Sequence, residues 1–312
     1  MRILVVGAGA IGGYFGGRLL AAKQDVTFLV RARRAAELAA SGLELRSPNG
    51  DVTIPDPPTV LAENIHLKFD LILLSCKAYD LDGAIASLAP AVGEQTLILP
   101  LLNGMAHLDA LDRRFGPAHV LGGLCMISTN LETGGRVTHF NTLDMLVFGA
   151  REGVPTPDVE AVAAAFATAR FQSRLSVNIL QDMWEKWVFI ASCAGITCLM
   201  RAPIGDIVAA DDGDVLPLAL LQECAAIAAS HDFAPRPESL EQAAAMLTKP
   251  GSPLVASMFR DIERNAPTEA EHMIGDLLRR GGEKGIASPM LRVAYAHLQA
   301  YAARRAREAA KS

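Results

Sequence analysis

Two apolar runs in the first half of the chain are followed by polar residues that could take part in a reaction. Lys77 follows the run 70–75, and Asn103 with Gly104 follows the run 96–101. Because the carboxyl ends of parallel strands meet at one edge of a sheet, where open α/β sheets bind ligands, both positions could reach a ligand. Asn103 could orient a ligand amide or a substrate oxygen, but an Asn-Gly pair is as typical of a plain turn.

A third candidate, Lys186, lies inside a long predicted helix. It shares one helix face with a mostly apolar set of residues: Ile190, Cys193, Ala194 and Thr197. A lysine there either extends its ammonium to solvent, which is the commoner case, or is held in a cleft. Partial burial would lower the pKa of the ammonium and suit it to proton transfer near neutral pH. Glu269, by itself, indicates only a first-turn acid favoured by a helix dipole.

The start of the chain carries a glycine-rich turn typical of dinucleotide binding. The hexapeptide Gly-Ala-Gly-Ala-Ile-Gly begins at Gly7, directly after an apolar run and at the start of a predicted helix. Gly7 permits the tight turn, Gly9 lets the backbone approach a pyrophosphate, and Gly12 allows close packing of helix on strand. The helix N-terminus at Ala10 and Ile11 offers N–H groups to the phosphates.

The residues after the second apolar run indicate which nicotinamide cofactor is bound. An acid at this position usually bonds the ribose 2′-OH of NAD, whereas an arginine accommodates the 2′-phosphate of NADP. Here Arg31 follows the run, and Arg34 could add a second donor. NADP(H) is therefore the expected cofactor, the alternative being that the arginines are only a solvated start to the next helix.

Apolar periodicity predicts two domains of different class. In the first half, short β-branched runs alternate with helical patterns, which is typical of a parallel sheet with crossover helices. The predicted strands span residues 3–7, 25–30, 70–75, 96–101 and 120–127. The segment 135–149 is predicted to form a hairpin or meander, and from about residue 175 the pattern is nearly all helical. We therefore predict a doubly wound, Rossmann-type α/β domain over residues 1–172 and an all-α domain over residues 173–312.

Composition argues against several classes of protein. Hydrophobic residues make up 51% of the 312-residue chain, charged residues 20%, and the net charge is −5. The apolar stretch 187–200 is shorter than the roughly 18 residues of a membrane-spanning helix. Neither the five cysteines nor the seven histidines show metal-ligand spacing, and no long basic tract suggests nucleic acid. With a strand entered at once, without room for a signal peptide, we expect a cytoplasmic protein with free thiols, no metal and no membrane contact.

Seven segments, in this order and at these spacings, resemble the ketopantoate reductase (2-dehydropantoate 2-reductase) family. The segments are GAGAIGGYFGGRL, LVRARR, LLSCKAYD, LPLLNGM, DMWEKW, SMFRDIERNAPTE and GEKGIASP. The resemblance covers nearly the whole chain. It implies a Rossmann domain followed by a helical domain like the C-terminal domain of 6-phosphogluconate dehydrogenase. It also implies reduction of ketopantoate to pantoate with NADPH, in the pathway to pantothenate and coenzyme A.

The resemblance also assigns roles to individual residues. Those implied to bind the cofactor are Gly7, Gly9, Ala10, Ile11, Gly12, Arg31, Lys77 and Asn103. Lys186 would be the general acid, and Glu269 a catalytic-site carboxylate that holds the substrate. Ser257 would contact the carboxylate end of the substrate, and Asn103 would lie beside the nicotinamide and the substrate.

One departure from the family leaves the substrate open. Members of the best-known kind carry asparagines four and eight residues after the catalytic lysine, where this chain has Ile190 and Ala194. Loss of two hydrogen-bonding amides favours a more apolar 2-oxo acid or ketone as an alternative to ketopantoate. A non-catalytic NADP(H) sensor is a further alternative, although a sensor would need neither Lys186 nor Glu269. The apolar helices could bury a homodimer interface or pack within one subunit.

Overall fold

The computed structural model describes residues 1–311 and divides the chain into two compact units. The first unit comprises Met1–Leu102 and His107–Ile179, and the second comprises Asn103–Ala106 and residues 180–311. The short segment that begins at Asn103 therefore belongs with the second unit, although it follows a strand of the first.

The units part after Ile179, seven residues beyond the boundary expected at residue 172. The reason is a short strand, Gln172–Leu175, which pairs in parallel with the long strand Val137–Gly149. Its pattern of alternate burial is too short to be distinguished by sequence from an interdomain connection.

The first unit contains ten strands and five helices. The strands are β1 (Arg2–Val6), β2 (Asp25–Leu29), β3 (Leu43–Arg46), β4 (Val52–Ile54), β5 (Thr59–Val60), β6 (Leu71–Leu74), β7 (Leu97–Pro100), β8 (Gly122–Leu131), β9 (Val137–Gly149) and β10 (Gln172–Leu175). The helices are α1 (Ala10–Ala21), α2 (Ala32–Ser41), α3 (Leu81–Leu88), α4 (Ala106–Phe115, whose first residue belongs to the second unit) and α5 (Pro157–Ala167). Short 3₁₀ turns span Ala62–Asn64, Ala78–Asp80, Ala89–Ala91 and Pro117–His119.

The main sheet is parallel and has the strand order β5-β2-β1-β6-β7. The central strands β1 and β6 are almost wholly apolar and buried, as expected for strands covered on both faces. The chain moves to one side of β1 through β2 and to the other side through β6. Strand order therefore reverses at β1, and such a switch point is where open α/β sheets bind ligands.

A second sheet, with the order β10-β9-β3-β4, packs in the same unit, and β8 pairs antiparallel with β9. The prediction of a hairpin or meander within 135–149 is wrong, because β9 is one continuous strand of 13 residues. The hairpin is instead formed by β8 and β9, and a register shift between Ile127 and Thr129 lets the two long strands bend. The polar residues inside β9 produce a sequence pattern that is also typical of a turn.

The second unit is built from helices. They are α6 (Ile179–Met200, whose first residue belongs to the first unit), α7 (Ile204–Val208), α8 (Val215–Ser230), α9 (Pro237–Leu247), α10 (Ser257–Glu263), α11 (Asp276–Glu283) and α12 (Pro289–Ala309). A π-helical turn, Glu271–Gly275, leads directly into α11. Among residues 1–311, no helix combines the length and the apolar character needed to cross a bilayer.

Aromatic packing fixes the first half of α6. The Trp184 ring stacks on His231 and Phe233, with centroids 5.6 Å apart in each case, while Trp187 is almost fully buried. These contacts hold the turns of α6 that flank Lys186. The predicted fold class is confirmed: a Rossmann-type parallel sheet with helices, followed by a helical domain.

Candidate active site

The glycine-rich turn joins β1 to α1 at the switch point of the main sheet. Gly7 has a φ of +94°, which favours glycine, and its N–H donates to the Leu29 carbonyl at 2.9 Å. A Cβ on Gly12 would lie 2.1 Å from the Gly7 carbonyl oxygen and 2.2 Å from Ser75 Oγ. Only glycine at this position lets the helix start so close to the strand.

The outer side of the same turn has the features of a phosphate site. A Cβ on Gly9 would meet no atom within 4 Å, so the backbone there can be approached closely. The first helical bond of α1 runs from the Gly13 N–H to the Gly9 carbonyl at 2.8 Å. The N–H groups of Ala10, Ile11 and Gly12 therefore have no acceptor within the helix, and they lie at the positive end of the helix dipole. The turn fits a pyrophosphate.

Arg31 lies where β2 ends, at the position before α2. Its side chain is 80% exposed, and one guanidinium nitrogen lies 2.6 Å from Asp80 Oδ1. An exposed ion pair of this kind contributes little to stability. Arg31 could therefore exchange Asp80 for a phosphate without a large cost in free energy.

Arg34 has a different environment from the one expected of a second phosphate donor. Its side chain is only 12% exposed; Nε donates to the Ala8 carbonyl at 3.1 Å and Nη2 to the Gly135 carbonyl at 2.9 Å. A further contact joins it to Glu37. Arg34 thus fastens the glycine-rich turn to the turn between β8 and β9.

Lys77 follows β6 at the carboxyl edge of the main sheet and precedes the 3₁₀ turn Ala78–Asp80. Its side chain is exposed. Because β6 is parallel to β1, Lys77 lies on the same edge of the sheet as the glycine-rich turn. Its contact with a nicotinamide remains a prediction.

In the second unit, the structure brings Lys186 and Asn103 together. Lys186 Nζ donates a hydrogen bond to the side-chain oxygen of Asn103 at 2.9 Å, and both groups are partly buried. An amide oxygen can only accept, so this contact orients the lysine as a donor.

The Asn103-Gly104 turn rests on His272, which the sequence did not single out. Gly104 has a φ of +77°, and a Cβ there would lie 3.0 Å from the His272 carbonyl oxygen and 3.2 Å from ring carbon Cδ2. The His272 ring is hydrogen-bonded to the backbone of Asn103. The Asn103-Gly104 pair therefore forms a turn and also contributes to the site. The glycine permits the approach to His272, and the asparagine side chain reaches Lys186.

His272 is partly buried, and this burial lowers the pKa of its imidazole below the ordinary value. The negative charges of Glu269 and Asp276 and the Asn103 contact act in the opposite direction but do not offset burial. His272 is therefore neutral near pH 7. Its spacing of three residues from Glu269 was the one signal in the sequence that could have placed it at the site.

The π-helical turn connects the Glu269 region to α6. The Glu269 carbonyl accepts from the Met273 N–H at 2.9 Å, and the Met273 carbonyl accepts from Trp187 Nε1 at 2.9 Å. The second bond joins the π turn to the residue next to Lys186. Glu269, which is partly buried, and Lys186 thus belong to elements tied together through Trp187.

Ser257 lies near the other end of the helix face that carries Lys186. Ser257 is the exposed first residue of α10, and the preceding Ala256 N–H donates to Thr197 Oγ1 at 3.4 Å. Thr197 is eleven residues from Lys186, which corresponds to about 16 Å along a helix axis. Between Lys186 and Thr197 lie the two positions at which the family resemblance leads one to expect asparagines. At these positions Ile190 is partly exposed, whereas Ala194 is only 2% exposed.

The sequence also did not single out a charged cluster at the turn of α6 that leads into Lys186. Arg236 donates to Glu185 Oε1 from Nε at 2.7 Å and from its backbone at 2.9 Å, and to Asp182 Oδ1 from Nη2 at 2.7 Å. Burial alone would raise the pKa of Glu185, but the hydrogen bonds from Arg236 and Gln181 bring it below the ordinary value. Two acidic residues in a largely apolar helix indicate a cationic partner, but the sequence does not indicate which residue that partner is.

No group of three or more His, Cys, Asp or Glu side chains in the part of the chain that the structure describes is arranged to hold a metal ion. The two units therefore present a phosphate-binding turn and a lysine–asparagine pair as their reactive features.

Comparison with known proteins agrees with this arrangement. Residues 3–153 match the family model of ketopantoate reductase PanE/ApbA, and residues 178–302 match the model of its C-terminal domain. An uncharacterized oxidoreductase of Bacillus subtilis, YkpB, is 35% identical over 97% of this chain and 99% of its own. A 2-dehydropantoate 2-reductase of a Nostoc species is 26% identical over 96% of this chain and 94% of its own.

Solved structures show the same fold over nearly the whole chain. The crystal structure of 2-dehydropantoate 2-reductase from Geobacter metallireducens covers 96% of this chain and 99% of its own, with 29% identity and a TM-score of 0.87. A ternary structure of D-mandelate dehydrogenase with NADH and anilino(oxo)acetate covers 98% and 99%, with 21% identity and a TM-score of 0.86; that likeness is one of fold alone. The chain belongs to the ketopantoate reductase family of oxidoreductases.

Proposed function

We propose that this protein reduces 2-oxo acids with NADPH and that Lys186 is the proton donor. The observation that carries the proposal is the hydrogen bond from Lys186 Nζ to the Asn103 side chain at 2.9 Å. It directs the amine within the same unit as Ser257 and Glu269, which the family resemblance also assigns to the substrate. Ketopantoate is the first candidate substrate.

The glycine-rich turn is suited to the cofactor. Gly9 leaves the backbone open to a pyrophosphate, and the unpaired start of α1 offers N–H donors. The exposed Arg31 supports NADP(H) over NAD(H). When bound, such a cofactor supplies hydride to a ketone carbon.

The chain itself supplies the proton and the orientation. As a ketone is reduced, its oxygen gains negative charge, and the Lys186 ammonium can stabilise that charge and then protonate it. Asn103 takes one of the three ammonium hydrogens, which fixes the direction of the others. Such proton donation contributes roughly 10²–10⁴ in rate.

The helix face beyond Lys186 favours a second candidate substrate. Ile190 is partly exposed and presents carbon where an asparagine amide was expected, so a hydroxyl such as that of ketopantoate would lose a partner there. The second candidate is therefore a 2-oxo acid with an apolar side chain.

The test is NADPH oxidation with ketopantoate beside apolar 2-oxo acids such as 3-methyl-2-oxobutanoate. A kcat/KM of roughly 10⁴ M⁻¹s⁻¹ or more marks a working substrate, and the larger value decides between the two candidates. The Lys186→Ala variant must lose that activity while keeping NADPH binding. If it retains every activity of the wild type, Lys186 is not the proton donor and a role as an NADP(H) sensor becomes the better account.

A further inference from the structure

Asp80 pairs with Arg31 in the same unit that carries the glycine-rich turn. Arg31 Nη2 donates to Asp80 Oδ1 at 2.6 Å, and the two side chains are 80% and 36% exposed. Asp80 ends the 3₁₀ turn that follows β6, and 49 positions separate it from Arg31. Because water screens both charges, a ligand that offers Arg31 another anion can open the pair.

The pair lies across the carboxyl end of β1. Strands β2 and β6 are the neighbours of β1 on its two sides, and Arg31 follows β2 whereas Asp80 follows β6. Neighbouring strands lie about 4.8 Å apart, so the contact bridges about 10 Å of the sheet edge. The glycine-rich turn leaves β1 between the two residues. A dinucleotide bound along this turn therefore meets Arg31 and Asp80 together.

The backbone position of Asp80 indicates that its carboxylate serves Arg31 rather than α3. Asp80 is the N-cap residue of α3, where an aspartate side chain usually accepts from an N–H of the first helical turn. Within residues 1–311 Asp80 makes no such bond. At the start of α5, by contrast, the Thr156 side chain accepts from the Val159 N–H. The Asp80 charge is thus directed at Arg31 although a cap position was available to it.

Arg31 is the arginine of its segment that a 2′-phosphate could use. Arg33 pairs with Glu37 at 2.7 Å, and Arg34 donates to two backbone carbonyls in a largely buried position. The charge of Arg31 is already balanced by Asp80. A 2′-phosphate, with roughly two negative charges, would thus become a second anion beside the same guanidinium.

We propose that Asp80 determines cofactor specificity by limiting the preference for NADPH over NADH. The 2′-phosphate of NADPH has to displace Asp80 from Arg31, and the displaced carboxylate then repels it. The 2′-hydroxyl of NADH carries no charge and leaves the ion pair in place. Asp80 is thus the repulsive element of the site and Arg31 the attractive one. This inference rests on the proposed function, from which it takes the nicotinamide cofactor but no substrate.

The test measures nucleotide binding without any 2-oxo acid. NADPH and NADH are each titrated calorimetrically into the wild type and two variants. Asp80→Asn removes the charge and keeps a residue that caps helices equally well. Asp82→Asn removes an exposed acid of the first turn of α3 and is the matched control. Each titration is made in about 0.05 M and in about 1 M NaCl, because salt screens exposed charges.

We expect Asp80→Asn to tighten binding of NADPH by about 3- to 10-fold in low salt and to leave NADH within about twofold of the wild type. Asp82→Asn should match the wild type within about twofold for both nucleotides. In about 1 M NaCl the gain for NADPH should shrink to about twofold or less. A rearranged 3₁₀ turn would instead alter both nucleotides and would persist in salt.

Four results overturn the inference: a wild type that binds neither nucleotide, no tighter NADPH binding in Asp80→Asn, an equal gain for NADH, or the same gain in Asp82→Asn. Failure of the proposed function has a different signature. If Asp80→Asn shows the selective gain but no 2-oxo acid is reduced by the wild type, the reductase proposal fails while the role of Asp80 stands.

Discussion

Lys186 Nζ donates to the side-chain oxygen of Asn103 at 2.9 Å, although 83 positions separate the two residues in the chain. The contact joins the middle of a long helix to a glycine turn that follows a strand. Because Asn103 belongs to the same compact unit as α6, the pair is built within one packed unit. That arrangement limits the rotamers open to a long lysine side chain and directs its proton.

Removing either member of this pair should therefore have related effects. We expect Lys186→Ala to lower kcat by roughly 10²–10⁴ and Asn103→Ala to lower it by about 10-fold, because the first removes the proton donor and the second only its orientation. The double variant should be no slower than Lys186→Ala alone, since an asparagine without the lysine has nothing to orient. Steady-state rates at saturating NADPH measure this.

Lys249→Ala, at an exposed position, is the control for charge removal. Strictly multiplicative losses in the double variant would contradict the coupling.

His272 should act as a positioning residue for the pair. Its ring bonds the backbone of Asn103 and fills the space beside Gly104. We expect His272→Phe to lower kcat by about 10-fold through loss of that hydrogen bond, and His272→Gln, which retains a donor, to recover most of the rate. KM for NADPH should stay the same in both. A larger loss of kcat in His272→Gln than in His272→Phe would mean that the shape of the ring matters rather than its hydrogen bond.

The same residue gives a pH dependence of stability with a definite sign. Burial lowers the folded-state pKa of His272, so below its ordinary value, near pH 6.5, the unfolded chain binds the proton first. This contribution is present above about pH 6.5 and is lost as the pH falls towards the folded-state value. The charged groups acting on the ring are Glu269, Asp276 and Arg280.

Urea unfolding at pH 7.5 and pH 5.5 should therefore show a smaller loss of stability in His272→Gln than in the wild type. His66→Gln, at an exposed position, should lose as much as the wild type. An identical loss of stability in all three proteins would show that folding does not lower the pKa of His272.

The sequence predicted the fold because each of its signals is local. Apolar runs gave β1, β2, β6 and β7 within two residues of their observed ends, and the turn at Gly7 lies where the motif placed it. What failed depends on pairing between distant segments. The continuity of β9 is decided by hydrogen bonds to β8 and β3, and the position of β10 by pairing with β9.

The candidate site was predictable in part for the same reason. Lys186 and Asn103 stand in recognisable motifs, and the structure brings their side chains together, while their roles remain predictions. His272 carries no motif of its own. Its significance comes from its burial and from its hydrogen bond to the backbone of Asn103, and both properties arise only from tertiary packing.

Arg31 should set the preference between the two nicotinamide cofactors. Its guanidinium is exposed and held only by Asp80, so a 2′-phosphate can take that place. We expect Arg31→Ala to raise KM for NADPH by about 10- to 100-fold, the value of a charge-assisted contact, with little change for NADH. Arg33→Ala, which removes an 87% exposed arginine paired to Glu37, is the matched control. A parallel rise for both cofactors in Arg31→Ala would show that Arg31 does not contact the 2′-phosphate.

Arg236 should be the main electrostatic support of the helix turn before Lys186. It pairs with Asp182 and Glu185, whose side chains are only 7% and 8% exposed, while its own is 52% exposed. We expect Arg236→Gln to lower the free energy of unfolding by about 2–3 kcal/mol at pH 7, because two largely buried carboxylates lose their cation and the exposed arginine itself loses little. Arg304→Gln, which breaks an exposed pair with Glu308, should cost less than about 0.5 kcal/mol.

The difference in the free energy of unfolding between Arg236→Gln and the wild type should also depend on pH. The hydrogen bonds from Arg236 help hold the pKa of Glu185 below its ordinary value, so the stability they provide is present above that value and is lost as the pH falls through the folded-state pKa. Urea unfolding should therefore show the two proteins converging between about pH 5 and pH 3. A difference that stays constant over this range would mean that Arg236 acts through packing of its stem rather than through the two carboxylates.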